Sequence, residues 1–250
     1  KVKPEKLKVR RAAEQTLIHL DSSLMGLKLE IRSELPSAKG MASSTADIIG
    51  AIAATARLFG VKLKLPEIKN LALAVEPTDG IFMPGIAAFD HLEGRVYRSL
   101  GLITPINLLV FDTGGRLETA QFNSRPDVAR LKNKKSRAVK TAYRLVREGI
   151  KADDPELIGR GATLSSRAHQ AIVYKPAVEQ LLPVLGREEA MLGINVAHSG
   201  TLLGVLVRSE ASLAAVKEKV LTSCPNLDQI AATRLINGGY EVATEQQRVQ

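Results

Sequence analysis

Leu35-Pro36-Ser37-Ala38-Lys39-Gly40-Met41-Ala42-Ser43-Ser44-Thr45-Ala46-Asp47 runs straight into an apolar stretch over 48–59, which Gly60 closes. It reads as a glycine- and serine-rich loop entering a helix. The first N–H groups of a helix lack intrahelical partners, and the helix dipole is positive at that end. A junction of this kind binds anions. Gly40 lets the backbone approach a ligand closely, and Ala42 keeps the loop narrow. Ser43, Ser44 and Thr45 add hydroxyls that can donate to phosphate or ligate magnesium. The expected ligand is a nucleoside triphosphate.

Outward from this loop, residues 6–20 read as a helix, and 26–33 alternate Leu27, Leu29 and Ile31 with charged residues, the pattern of a half-buried strand. Downstream, Pro66 opens a helix over 66–76 that Pro77-Thr78-Asp79-Gly80 breaks. Strands are expected at 94–100 and 106–112, the second apolar enough to be fully buried. After Ser124-Arg125-Pro126 the pattern turns to long helices over 128–149, 154–171 and 176–190. A domain boundary is therefore expected near 125, dividing the chain into 1–125 and 126–250. The last third reads strand (194–197), strand (202–207), helix (211–221), strand (233–236). This order fits an α+β fold with sheet-and-helix layers better than a doubly wound parallel sheet.

Composition is that of an ordinary globular enzyme: 250 residues, 45% hydrophobic and 24% charged. Aromatics make up only 4% and Trp is absent, so Ala, Leu, Ile and Val must build the core. A single Cys224 excludes an internal disulfide and points to a reducing, cytoplasmic setting. No apolar run approaches the ~20 residues that span a bilayer. The net charge of +9 gathers over 130–147, where the plain reading is a solvated helix face and the sharper one a surface for ATP or another polyanion.

The loop is not a Walker A sequence, because Lys39 precedes the glycine, and it is not a dinucleotide fingerprint. Pro36, Gly40, Met41, Ala42, Ser43 and Ser44 resemble the phosphate-binding motif of the GHMP kinases. The version Lys-Gly-Met-Ala-Ser-Ser-Thr-Ala-Asp-Ile at 39–48 is most similar to the bacterial L-threonine kinases of cobalamin assembly. Two further blocks follow in family order: Glu76-Pro77-Thr78-Asp79 with Phe89-Asp90-His91, and the Ala197-His198-Ser199-Gly200-Thr201 loop.

The resemblance implies a two-domain α+β fold, with a ribosomal S5 domain 2-like N-terminal part and a ferredoxin-like C-terminal part. It implies ATP and Mg2+, with Pro36, Ser37, Ala38, Lys39, Gly40, Met41, Ala42, Ser43, Ser44 and Thr45 around the phosphates. Ser44 and Glu76 take the magnesium role. Asp79 faces the acceptor hydroxyl, Lys39 neutralises phosphate charge, and His198, Ser199 and Gly200 lie at the substrate. The implied reaction turns L-threonine into O-phospho-L-threonine for adenosylcobalamin synthesis. No membrane is implied, a nucleic-acid partner is disfavoured, and a homodimer is left open.

Each residue also has a plain reading: Glu76 a helix-end carboxylate, Asp79 a turn residue, Lys39 a solvated lysine, His198 a loop-orienting imidazole. Asp90 is the alternative base, or a strand-end residue pairing with Arg95. His19, His91 and His169 lack metal spacing and receive no chemistry. The family's N-terminal strand pair, with a Pro-x-Ser-Cys-Gly-Glu-like segment, has no match here, so upstream sequence is expected before Lys1. The competing readings are another small-molecule GHMP kinase, such as a homoserine kinase, and a non-catalytic basic RNA-binding protein.

Overall fold

The computed structural model describes residues 4–22, 26–114 and 128–243. The boundary expected near 125 lies outside the described residues. Contacts divide the chain into two compact units, one drawn from Lys1–Leu35, Ala42–Leu100 and Gly238–Gln250, the other from Pro36–Met41 and Gly101–Asn237.

In the first unit, helices α1 (Pro4–His19), α2 (Ser43–Leu58) and α3 (Leu65–Val75) pack together. Ile48, Ile52 and Ala56 recur every four residues on α2 and are buried against Val9 and Ala12 of α1 and Ile68 and Ala72 of α3. Small residues at these contacts let the helices approach closely, which suits a chain poor in aromatics. Phe82 and Phe89 add the main aromatic contact, an edge-to-face pair with centroids 5.6 Å apart. Strands β1 (Ile86–Phe89) and β2 (Tyr97–Gly101) form a two-stranded sheet.

The strand expected at 26–33 is not one. A strand exists through its partner's hydrogen bonds, and among the described residues no strand pairs with this segment. Its alternation is used only in part: Ile31 packs on the helical core, while Leu29 stays 38% exposed.

In the second unit, β3 (Ile106–Asp112), β4 (Met191–Val196), β5 (Leu202–Val207) and β6 (Asp228–Leu235) form an antiparallel sheet ordered β4-β5-β3-β6. With helices α4 (Val128–Ala152), α5 (Pro155–His169) and α6 (Pro176–Leu185) between β3 and β4, and α7 (Leu213–Ser223) between β5 and β6, this is a ferredoxin-like split βαβ arrangement. β3 is central, pairing Leu109 with Val205 of β5 and with Ala232 of β6, which explains its unbroken apolar middle. Leu109, Phe111, Val178, Leu181, Ile194, Leu203, Val205 and Val216 form the core. Helix α5 is clamped to edge strand β4 by buried hydroxyls: Ile194 N–H donates to Thr163 Oγ1 and Ser166 Oγ donates to Ile194 O, both at 2.9 Å.

Several element boundaries moved, two of them for clear reasons. Helix α6 stops at Leu185, short of 190, because Pro183 lies in its last turn and Gly186 caps it. Strand β6 begins at Asp228, well before 233, because an edge strand of mostly exposed residues shows little hydrophobic pattern. On α4, Arg137, Lys140 and Arg144 are exposed, as both a solvated basic face and a polyanion surface require. No described helix is long and apolar enough to cross a membrane.

Asp154 caps α5, accepting the Leu157 N–H at 3.0 Å with Pro155 in the first turn. That bond outweighs desolvation, and Glu156 and Arg160 assist it, so the carboxyl sits below its ordinary 3.8. A depressed carboxylate adds stability above its unfolded-state pKa and loses it as pH falls through the folded one. Asp154→Ala should therefore lower the thermal midpoint at pH 7, and the gap to wild type should narrow below pH 3.8. Thermal unfolding at both pH values tests this; a gap independent of pH would remove the charge from the cap's role.

Candidate active site

The loop has the backbone that its composition promises. Positive φ recurs at alternate residues: Ala38 at 60°, Gly40 at 96° and Ala42 at 54°. Alternation into the left-handed region turns successive N–H groups toward one side and makes an anion-binding concavity. For alanine this conformation is strained and uncommon, and strain of this kind gathers at functional sites. Ala42 is also the N-cap of α2 and supplies no capping side chain, which leaves first-turn donors for another partner.

In the first unit the start of α2 meets the Glu76–Asp79 segment. Ser44 Oγ donates to Glu76 Oε1, and Lys8 of α1 places Nζ 2.5 Å from Glu76 Oε2 and 3.4 Å from Ser44 Oγ. Thr45, buried one residue on, receives two bonds: Thr78 Oγ1 donates to its Oγ1 at 3.2 Å, and Asp79 N–H at 3.0 Å. The Thr78 N–H in turn donates to His91 O at 2.9 Å. Two sequence-predicted blocks, 43–45 and 76–79, are thus stitched together by side-chain bonds. Ser44 and Glu76 present converging hard oxygens, already attracting a cationic side chain. This donor pair fits magnesium, which takes one or two protein oxygens and fills its shell with phosphate oxygens and water.

Asp79 keeps an exposed edge, yet its carboxyl is pushed above the ordinary 3.8 by burial; His91 opposes this and the Glu76 charge adds to it. His91, which sequence spacing left without a role, is therefore an electrostatic neighbour of Asp79. Asp90 is spent locally. Its carboxylate accepts the N–H groups of Leu92 at 3.1 Å and Arg95 at 3.3 Å. Burial works against its charge, but the backbone donors of Leu92, Arg95 and Glu93 win and lower its pKa. The Arg95 guanidinium pairs with Glu93 instead.

In the second unit, 36–41 lies against the loop following β4. Leu202 N–H donates to Lys39 O at 3.3 Å, and Gly40 and Gly200 pack backbone to backbone. A Cβ on Gly200 would stand 2.3 Å from Lys39 O, and one on Gly40 2.4 Å from Ala197 Cβ. Lys39 itself is held 2.5 Å from Asp112 Oδ2. Desolvation opposes the Asp112 charge, but Lys39, Thr201 and the Gly114 N–H outweigh it, so its carboxyl lies below the ordinary value. Below the loop, Lys175 is 3% exposed and donates from Nζ to Gly200 O at 2.7 Å. Burial lowers its pKa, with Asp112 opposing. His198 stays exposed, its ring tilted over buried His169 at 5.5 Å; His169 Nδ1 lies 3.2 Å from Lys135 Nζ.

Sequence reasoning missed Lys8, Asp112 and Lys175. Each supports a predicted residue from a distant element, and no local pattern marks a residue whose only signal is its partner.

Residues 8–85 match the family model "GHMP kinases N terminal domain" and 146–226 match "GHMP kinases C terminal". The L-threonine kinase of Salmonella typhimurium is 34% identical over 195 residues, which cover 78% of this chain and 64% of that protein. The L-threonine kinase of Citrobacter freundii is 33% identical over 181 residues, covering 72% and 62%. The chain thus spans somewhat under two thirds of the length of these relatives. In fold it is similar to the homoserine kinase of Cytophaga hutchinsonii, with a TM-score of 0.67 at 13% identity over 93% of this chain and 76% of the other.

Proposed function

This chain belongs to the GHMP kinase family, and from that premise we propose that it transfers the γ-phosphoryl group of ATP to the side-chain hydroxyl of L-threonine, giving O-phospho-L-threonine and ADP. The observation that carries the kinase reading is the bonding of Ser44 to Glu76 and of Thr45 to Asp79 at the start of α2. The threonine assignment rests on the identity to two L-threonine kinases; the proposed supply role in adenosylcobalamin synthesis rests on the resemblance of the 39–48 loop alone.

In this proposal the 36–45 backbone holds the phosphates, and Ser44 and Glu76 hold magnesium, which would neutralise phosphate charge when bound. Asp79 orients the threonine hydroxyl. Its carboxylate takes the hydroxyl proton as the new O–P bond forms, while the bond from the γ-phosphorus to the β–γ bridging oxygen breaks and ADP carries the charge away. A carboxylate of raised basicity is the better acceptor. Lys39, tied to Asp112, steadies the loop and adds positive charge beside it.

Incubation with MgATP and a panel of threonine, homoserine and mevalonate tests the assignment. ADP and phosphothreonine should form with threonine; turnover of homoserine without threonine would move the acceptor to the other kinase reading. The acid limb of kcat/KM should lie above pH 3.8, because activity is lost as the raised Asp79 carboxyl protonates. A limb at or below that value would take Asp79 out of the proton-accepting role.

A further inference from the structure

We infer that Lys8 is a tethered counter-cation, occupying the Glu76–Ser44 oxygens until the divalent cation arrives and displaces it. The inference rests on the reading that these oxygens hold magnesium. Both Glu76 carboxylate oxygens are engaged: Oε1 accepts from Ser44 Oγ, and Oε2 lies 2.5 Å from Lys8 Nζ. The same ammonium reaches Ser44 Oγ at 3.4 Å, so it spans both oxygens.

Glu76 is 20% exposed in its side chain, and a carboxylate that far out of water is costly without a partner. Lys8 supplies such a partner. A divalent ion on the same oxygens would repel the ammonium strongly at such range, so the two exclude each other. The lysine is built to leave. Its side chain is 48% exposed, and it is a flexible, strongly hydrated point charge rather than a planar fork. Its neighbour Val9 and nearby Ala12 and Ala13 are buried, so α1 stays anchored while Lys8 swings to solvent. Lys8 would thereby set how much divalent cation the enzyme needs, and keep Ser44 and Glu76 oriented between turnovers.

The test is Mn2+ binding to the nucleotide-free protein, with free Mn2+ read by electron paramagnetic resonance. K8M and K8Q should bind Mn2+ about fivefold or more tighter than wild type, the effect of removing a competing partly exposed ion pair. K8R should stay near wild type. Unfolding without metal should occur at a lower temperature in K8M, and Mn2+ should restore it. Equal, weaker or undetectable Mn2+ binding in K8M and K8Q overturns the inference. E76Q separates it from the reading beneath it. Mn2+ binding lost in E76Q but unchanged in K8M overturns the Lys8 role alone. Binding untouched in E76Q removes the metal assignment itself.

Discussion

Asp79→Asn is expected to reduce kcat by about 10² to 10⁴, the usual span for loss of a positioned proton acceptor, while the fold persists. Asn keeps the size and can still hydrogen-bond the acceptor hydroxyl, so KM for threonine should change far less than kcat. Stability should move the opposite way from activity. Burial raises the Asp79 carboxyl above its ordinary 3.8, so the folded protein holds that proton more tightly than the unfolded chain. The resulting stabilisation is present below the unfolded pKa and lost as pH rises through the folded one. At pH 7 the wild type carries the cost of a partly desolvated charge and Asp79→Asn does not. The variant should therefore unfold at the same temperature or higher, a trade of stability for activity that is common at catalytic groups. ADP release and thermal unfolding check both halves. Full activity in the variant would leave Asp79 as a turn residue that happens to bond Thr45.

Gly200→Ala is expected to break the glycine-loop contact from a position no side chain of the phosphate loop occupies. Gly200 sits at φ 153°, a region that side-chain-bearing residues rarely enter, and its added Cβ would meet Lys39 O at 2.3 Å and Lys39 C at 2.6 Å. These are backbone atoms and cannot turn aside as a flexible side chain would. Strain and overpacking together should cost roughly 3 kcal/mol, which corresponds to a fall in the unfolding midpoint of about 6–12 °C. Relief requires 36–41 to move away from Gly200, which would weaken ATP-analogue binding by about tenfold or more, the worth of one or two misplaced hydrogen bonds. Calorimetric titration with a non-hydrolysable ATP analogue and a thermal melt read the two effects. An unchanged melt would show that the loop yields without cost. Unchanged affinity would show that the 36–41 backbone does not hold the nucleotide where we place it.

Much of this could be read along the chain because the relevant signals are local. The α2 start, the buried β3 and the Asp79 turn depend on spacings within a few residues, and each emerged close to where it was expected. Segments whose state depends on a partner behaved differently. Residues 26–33 alternate like a strand but have no described strand beside them, whereas β6 alternates weakly and is a strand because β3 offers it an edge. The supporting residues follow the same division. Thr45 was visible as a loop hydroxyl, but its role as joint acceptor for Thr78 and Asp79 lies 33 and 34 residues away in sequence.

The expectation of a phosphate cradle could be drawn from the amino-acid order alone: a small-residue loop at a helix start, followed by carboxylates and a second glycine loop in fixed order, calls for one. Those are properties of short stretches of backbone, set by glycine, alanine and hydroxyl side chains wherever they occur. Which charges face each other was set by the packing of distant segments. Glu76 received Lys8, Lys39 received Asp112, Gly200 received Lys175, and Asp90 was turned inward to its own loop. The physical reason is that charge pairing and burial act through space over a few ångströms, with no regard for distance along the chain. The basicity of Asp79 arises in the same way, from burial and from the Glu76 charge that the fold brings near it, against the opposing pull of His91.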